Sequence, residues 1–192
     1  MPKKTKIFKK LFTIITICSL SACGLQVVYK DQNLSTSLSH ELAGIRIKKD
    51  RTELSQQLRN NLYDLLNPDH IKAQSKYFLI LKLTQSSTPT FITTTGASGR
   101  NKITLGVNYE LRNSENMQEI TKGRVEISDN YDVSLSRFGT YVSQNYVENN
   151  LTKLIAQNIR NSLVNDLVEL QKRCNNLKNN NEEDSVCYFN NP

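Results

Sequence analysis

The apolar positions of this chain change period along its length, and each period predicts a different element. Residues 11–20, Leu-Phe-Thr-Ile-Ile-Thr-Ile-Cys-Ser-Leu, form one short continuous run. Ile45 and Ile47 flank Arg46, which predicts a brief first strand within 42–48. Leu54, Leu58, Leu62, Leu65 and Leu66 then recur at helical spacing. Asp50-Arg51-Thr52-Glu53 ahead of them reads as a capping box, an acceptor at the N-cap with Glu three residues on. The helix should stop near Asn67-Pro68, because proline disfavours the α conformation in the residue before it.

A period of two governs most of 76–133. Tyr77, Leu79, Leu81 and Leu83 share one face of a strand over 76–84, and Phe78 and Ile80 make its other face partly apolar. Residues 86–95 are rich in Ser and Thr and contain Pro89, so they could extend that strand only as an edge. Gly96-Ala97-Ser98-Gly99-Arg100-Asn101 has the composition of a hairpin loop. Ile103, Leu105, Val107, Tyr109 and Leu111 alternate with Thr104, Asn108, Glu110 and Arg112, a half-buried antiparallel strand with a solvated face. After a turn at 113–116, a fourth strand over 120–133 carries Val125, Ile127, Tyr131 and Val133 in phase. The helical period returns in Val147, Leu151, Leu154, Ile155, Ile159, Leu163, Leu167 and Leu170. That helix should begin between Ser136 and Ser143 and run to about Lys172. The order β-α-β-β-β-α predicts an α+β fold, a two-layer sandwich with two helices on one face of a four-stranded sheet. The sheet should be mixed, since a β-α-β unit allows one parallel pair.

Charge changes the picture at the N-terminus. Lys3, Lys4, Lys6, Lys9 and Lys10 precede the apolar run, and no acidic residue occurs before Asp31. Ten residues of helix rise only about 15 Å, half a bilayer core, so the run is a secretory signal rather than a membrane span. It ends in Leu20-Ser21-Ala22-Cys23-Gly24, which resembles the lipobox of bacterial lipoproteins. That resemblance implies cleavage before Cys23 and acylation of its thiol and amine. Several acyl chains, at about 0.8 kcal/mol per buried CH₂, would anchor the protein stably. Gly24 at the second mature position, rather than Asp, resembles the enterobacterial rule for outer-membrane destination.

The formal charge of +7 comes from 25 basic and 18 acidic residues, and five of the basic ones belong to 1–22. The remainder is nearly neutral, so net charge offers no case for nucleic acid. Cys18 leaves with the signal and Cys23 is the anchor. Cys174 and Cys187 remain, in an oxidising compartment, as either a local disulfide or two free thiols. A disulfide closing such a loop would contribute roughly 3 kcal/mol. His40 and His70 are the only histidines and no CxxC occurs, so no metal site or cofactor is expected. GxSxG, HExxH and P-loop patterns are absent, which predicts a non-enzymatic chain. His70 beside Asp69 lacks a nucleophile motif, and Asp129 and Asp132, three apart on a strand, should face opposite sides. The expected division is 1–22 signal, 23–41 lipid-anchored tether, 42–172 α/β domain and 173–192 polar tail.

From Cys23 to about Leu170 the chain resembles the LPS-assembly lipoprotein family LptE, particularly its alphaproteobacterial branch. The resemblance rests on Cys23-Gly24-Leu25-Gln26 with Tyr29, then on Asp50-Arg51 with Leu58-Arg59-Asn60-Asn61-Leu62. It continues in Tyr77-x-Leu79 with Leu81, Tyr109-x-Leu111 and Tyr131-Asp132-Val133 before the long helix. The chain departs from the branch at Arg137-Phe138-Gly139, where Ser-Pro-Tyr is frequent, and in its Asn-rich tail. The resemblance implies a lipoprotein on the periplasmic face of the outer membrane that plugs and helps assemble the LptD barrel. It also implies contact with lipopolysaccharide. A competing expectation is a periplasmic accessory lipoprotein of an ABC-type lipid transporter.

Phosphates on lipid A would pair with Arg or Lys at a loop tip. Arg100 and Lys102, flanking the Gly-rich hairpin, are the first candidates; Lys122 and Arg124 on the next strand are the second. Lys48, Lys49 and Arg51 are expected to solvate a β-to-α connection. Thr104, Asn108, Glu110 and Arg112 could face a barrel wall. Tyr141 and Tyr146 could serve as interface anchors or as core residues.

Overall fold

The computed structural model describes residues 32–92 and 98–180. The expected signal, Cys23, residues 93–97 and Cys187 lie outside the described residues. The chain divides into two units, Met1–Ser35 and Thr36–Pro192, and the second holds the body described below.

The elements are α1 (Gln32–Ala43), β1 (Ile45–Ile47), α2 (Glu53–Leu66), β2 (Tyr77–Ile92), β3 (Ser98–Asn113), β4 (Glu119–Asp132) and α3 (Arg137–Asn180). The sheet order is β1-β2-β3-β4. β1 runs parallel to β2 over Ile45↔Tyr77 to Ile47↔Leu79, and the other neighbours are antiparallel. The expected α+β fold with a mixed four-stranded sheet is therefore present.

One core cluster joins the three helices to one face of the sheet. Ile103, Leu105, Val107, Tyr109 and Leu111 of β3 are all buried, as their alternation predicts. They meet Leu58, Leu62 and Leu66 of α2 and Leu151, Ile155, Ile159 and Leu163 of α3. Each such aliphatic side chain stabilises the fold by about 1.5–3 kcal/mol when fully buried. Thr152 is buried between the helices, where its Oγ1 accepts from Asn61 Nδ2 and donates to the Asn149 carbonyl.

Three details here differ from the sequence reading, and a fourth, the extension of β2 as an edge past Pro89, is the one the sequence allowed. Residues 36–41, expected in the tether, belong to α1, and so does Leu42, expected to open the first strand. Leu38 and Leu42, four apart, are buried in the core. The surrounding Ser, Thr and His lowered the helical signal there. The second helix starts at Glu53 with Thr52, not Asp50, as its N-cap. Asp50 instead accepts from the Arg51 N–H and from Ser55 Oγ, and these bonds hold its carboxyl below the usual carboxylate range. β2 continues through Pro89 to Ile92, with register shifts on either side of Phe91. Proline is tolerated because β1 pairs with β2 only as far as Leu79, leaving β2 an edge at Pro89. Arg100 and Asn101, expected in the hairpin loop, are strand residues of β3.

The long helix α3 begins at Arg137, inside the expected window, and ends at Asn180, eight residues beyond Lys172. Cys174, expected in a polar tail, is buried on that extension and is disulfide-bonded. The turn at 113–116 forms as expected: Asn113 Oδ1 accepts from the Glu115 and Asn116 N–H groups, and Met117 is left-handed at φ 58°. No described helix is long and apolar enough to cross a membrane.

Candidate functional site: the open face of the sheet

The face of the sheet away from the helices carries a different set of residues. Register pairs them in rows: Ile80–Glu110–Lys122, Lys82–Asn108–Arg124, Thr84–Gly106–Glu126 and Thr88–Lys102–Asn130. Because strand side chains alternate, each row lies on the same side. All four basic residues picked from the sequence, Arg100, Lys102, Lys122 and Arg124, therefore share this open face.

They do not form one site. Lys102 lies six residues along β3 from Asn108, the partner of Arg124, which is about 20 Å at strand rise. Arg100 is in the last rows, paired in register with Asp132 and bonded to its carboxylate at 2.9 Å. Asp129 is on the opposite face, as their spacing requires. Lys122 and Arg124 instead border a shallow depression of about 580 Å³ with Ile80, Lys82, Asn108, Glu110 and Glu119.

The depression is lined by both charge signs. Lys122 Nζ is 2.8 Å from Glu119, Arg112 is 2.5 Å from Glu110 and Arg124 is 2.5 Å from Glu126. The Lys122 ammonium, donating to Glu119, holds that carboxyl below its ordinary range, and Glu119 raises Lys122 in return. Lys82 projects from the same rim and has no ion pair among the described residues. Exposed ion pairs of this kind contribute only about 0–1 kcal/mol each, so an incoming anion could displace them at little cost. Chemically the surface suits a ligand with phosphate or carboxylate groups beside an apolar portion that could lie on Ile80.

Lys82 went unnoticed in the sequence, and Ile80 was read only as part of a partly apolar second face, because β2 reads as an almost continuous apolar run. The signal was present: Lys82 shares a two-residue phase with Phe78 and Ile80 rather than with Leu79, Leu81 and Leu83. Thr104, Asn108, Glu110 and Arg112 all lie on the open face, as expected of the solvated side of β3. Tyr141 and Tyr146 are exposed at 62% and 67%, so they do not pack in the core. His40 is an exposed residue of α1, and His70 occupies the connection after α2 with φ 50°. Among the described residues no group of three His, Cys, Asp or Glu converges as a metal site.

No family model and no curated protein matches the chain. Solved structures do. A provisionally named lipoprotein from Caulobacter crescentus CB15 aligns with TM-score 0.59 and 20% identity, over 69% of this chain and 97% of that one. Rare lipoprotein B from Shewanella oneidensis aligns with TM-score 0.52 and 16% identity, over 66% of this chain and 96% of that one. At these identities the likeness is one of fold, and the chain has the fold of these lipoproteins.

Proposed function

We propose that the chain is an LptE-type lipoprotein, anchored in the outer membrane through acylated Cys23. In this reading it plugs and helps assemble an LptD-type barrel and so supports the delivery of lipopolysaccharide to the outer leaflet. The observation that carries the proposal is the likeness to rare lipoprotein B across nearly the whole of that chain, joined to the Leu20-Ser21-Ala22-Cys23 signal end. The alphaproteobacterial character rests on the residues quoted above, from Cys23 to Tyr131-Asp132-Val133. The role is non-enzymatic: the open face offers charge and shape for binding, and a polar sheet surface suits the polar lumen of a wide barrel.

The deciding experiment is affinity capture of the full chain from detergent-solubilised outer membranes. Recovery of a large β-barrel protein is the expected result. Recovery of an inner-membrane ATPase complex would instead support the accessory-lipoprotein reading and overturn this one.

A further inference from the structure

Six large apolar side chains stand exposed at one end of the molecule, away from the depression on the open face. Phe91 and Ile92 close β2, and Leu135 lies in the connection from β4 to α3. Phe138, Tyr141 and Val142 occupy the first two turns of α3. Their exposures run from 48% for Val142 to 107% for Leu135. Register brings them to the same end, since Phe91 pairs with Arg100 and Arg100 with Asp132, the last residue of β4. One exposed leucine is ordinary; six large apolar groups at one end indicate a surface that meets something apolar.

The segment presenting them is not loose. The Ser134 N–H donates to Thr140 Oγ1, the Gly139 N–H to Ser136 Oγ and the Asp132 N–H to Ser143 Oγ. These bonds cap α3 and fix the connection while Leu135 and Phe138 stay in solvent. The charge beside them is basic. Lys102 and Arg137 are exposed at this end, Arg100 is ion-paired with Asp132, and Asp129 is the other exposed acid nearby, so the balance is basic by about one charge. Aromatic rings, guanidinium groups and hydroxyls in one place are the composition of a membrane–water interface, where rings sit at headgroup depth and cations meet phosphates.

We propose that this end of the folded domain rests in an anionic phospholipid surface. Phe138, Leu135 and the Phe91–Ile92 pair reach the acyl boundary, and Lys102 and Arg137 meet headgroup phosphates. The inference goes beyond the barrel reading and does not depend on it.

The chain contains no tryptophan, so a single introduced one is a clean reporter. The full chain carrying Phe138→Trp is reconstituted in phosphatidylcholine vesicles with and without phosphatidylglycerol. A second reporter, Glu115→Trp, sits in the β3–β4 turn at the opposite end of the sheet. The expected result is a blue shift and quenching by brominated acyl chains at position 138, stronger with phosphatidylglycerol, and neither at position 115. The shift at 138 should vanish when Leu135 and Val142 are both changed to Ser, with circular dichroism unchanged. Unshifted emission at 138, equal response at both positions, or a shift that needs a co-purified protein or lipopolysaccharide would overturn the proposal. Barrel capture can fail or succeed independently of this result.

Discussion

The ring of Tyr109 occupies the place where Gly123, its partner in register, would put a side chain. A Cβ on Gly123 would overlap the ring and the hydroxyl of Tyr109. Both residues lie between Lys122 and Arg124 in the ladder, but the Tyr109 ring is on the core side of the sheet, opposite the depression. Gly123→Ala should destabilise the protein by about 1–3 kcal/mol through overpacking, read as a lower urea midpoint. In a Tyr109→Ala background the same Gly123→Ala change should cost less than in the native chain, because the clash then has no partner.

The start of β2 is tied to α1 by Glu41, whose carboxylate accepts from Tyr77 Oη at 2.5 Å and from Lys76 Nζ at 2.8 Å. Burial and the Glu41 contact push the Tyr77 hydroxyl above its ordinary pKa of 10.0. A raised value means this contribution is complete below the unfolded value and is lost as pH rises past about 10. Stability measured from pH 8 to 11 should therefore fall at the alkaline end. Tyr77→Phe should cost about 1.5–3 kcal/mol at neutral pH and flatten that fall.

The start of α2 responds to acid instead. Asp50 is held below its ordinary 3.8, so its contribution is present above that value and is lost as pH falls through the lowered one. Asp50→Asn should reduce the acid sensitivity of urea midpoints between about pH 5 and 2. Thr52→Ala, which removes the N-cap acceptor of the Ser55 N–H, should cost about 0.5–2 kcal/mol with no such pH signature.

The two basic pairs of the open face are separable by substitution. If the depression takes the anionic part of lipopolysaccharide, Lys122→Gln with Arg124→Gln should weaken binding by roughly tenfold, about 1.4 kcal/mol. Arg100→Gln with Lys102→Gln tests the other end of β3 in the same assay. Unchanged affinity in a folded double variant would remove that pair from the binding surface.

Cys174 is disulfide-bonded, and its partner lies outside the described residues. If, as proposed, Cys18 leaves with a cleaved signal and Cys23 is acylated, Cys187 is the partner that remains. Mass spectrometry of the unreduced, digested mature protein should find a peptide joining the segments around Cys174 and Cys187, and reduction should separate them.

Some of this was legible in the residues alone. The alternation from Ile103 to Leu111 placed five core side chains correctly, because a strand's period is local and has only one buried face to satisfy. The stripe from Val147 to Leu167 did the same for α3, although Leu154 remains exposed. What stayed hidden depended on partners distant in sequence. The Leu38–Leu42 pair is too short a pattern to announce a helix, and it is helical where core packing covers it. Arg100 looked like a loop residue because Gly and Ser surround it, yet pairing with Phe91 and Asp132 extends the ladder through it.

From β1 onward the sequence by itself determined the kinds of element, their order and the inward face of each long one, since these follow from local periodicity and from the stop at Asn67-Pro68; it did not announce α1. It also marked the N-terminal export pattern, which is a matter of composition. Only the tertiary structure decided which residues stand side by side. Register set Lys82 beside Asn108 and Arg124, separated them from Lys102, and brought Phe91 to the same end as Phe138. Those neighbours arise from strand pairing across tens of residues. A one-residue slip would turn every side chain to the other face, so the buried core, and not the local pattern, fixes them.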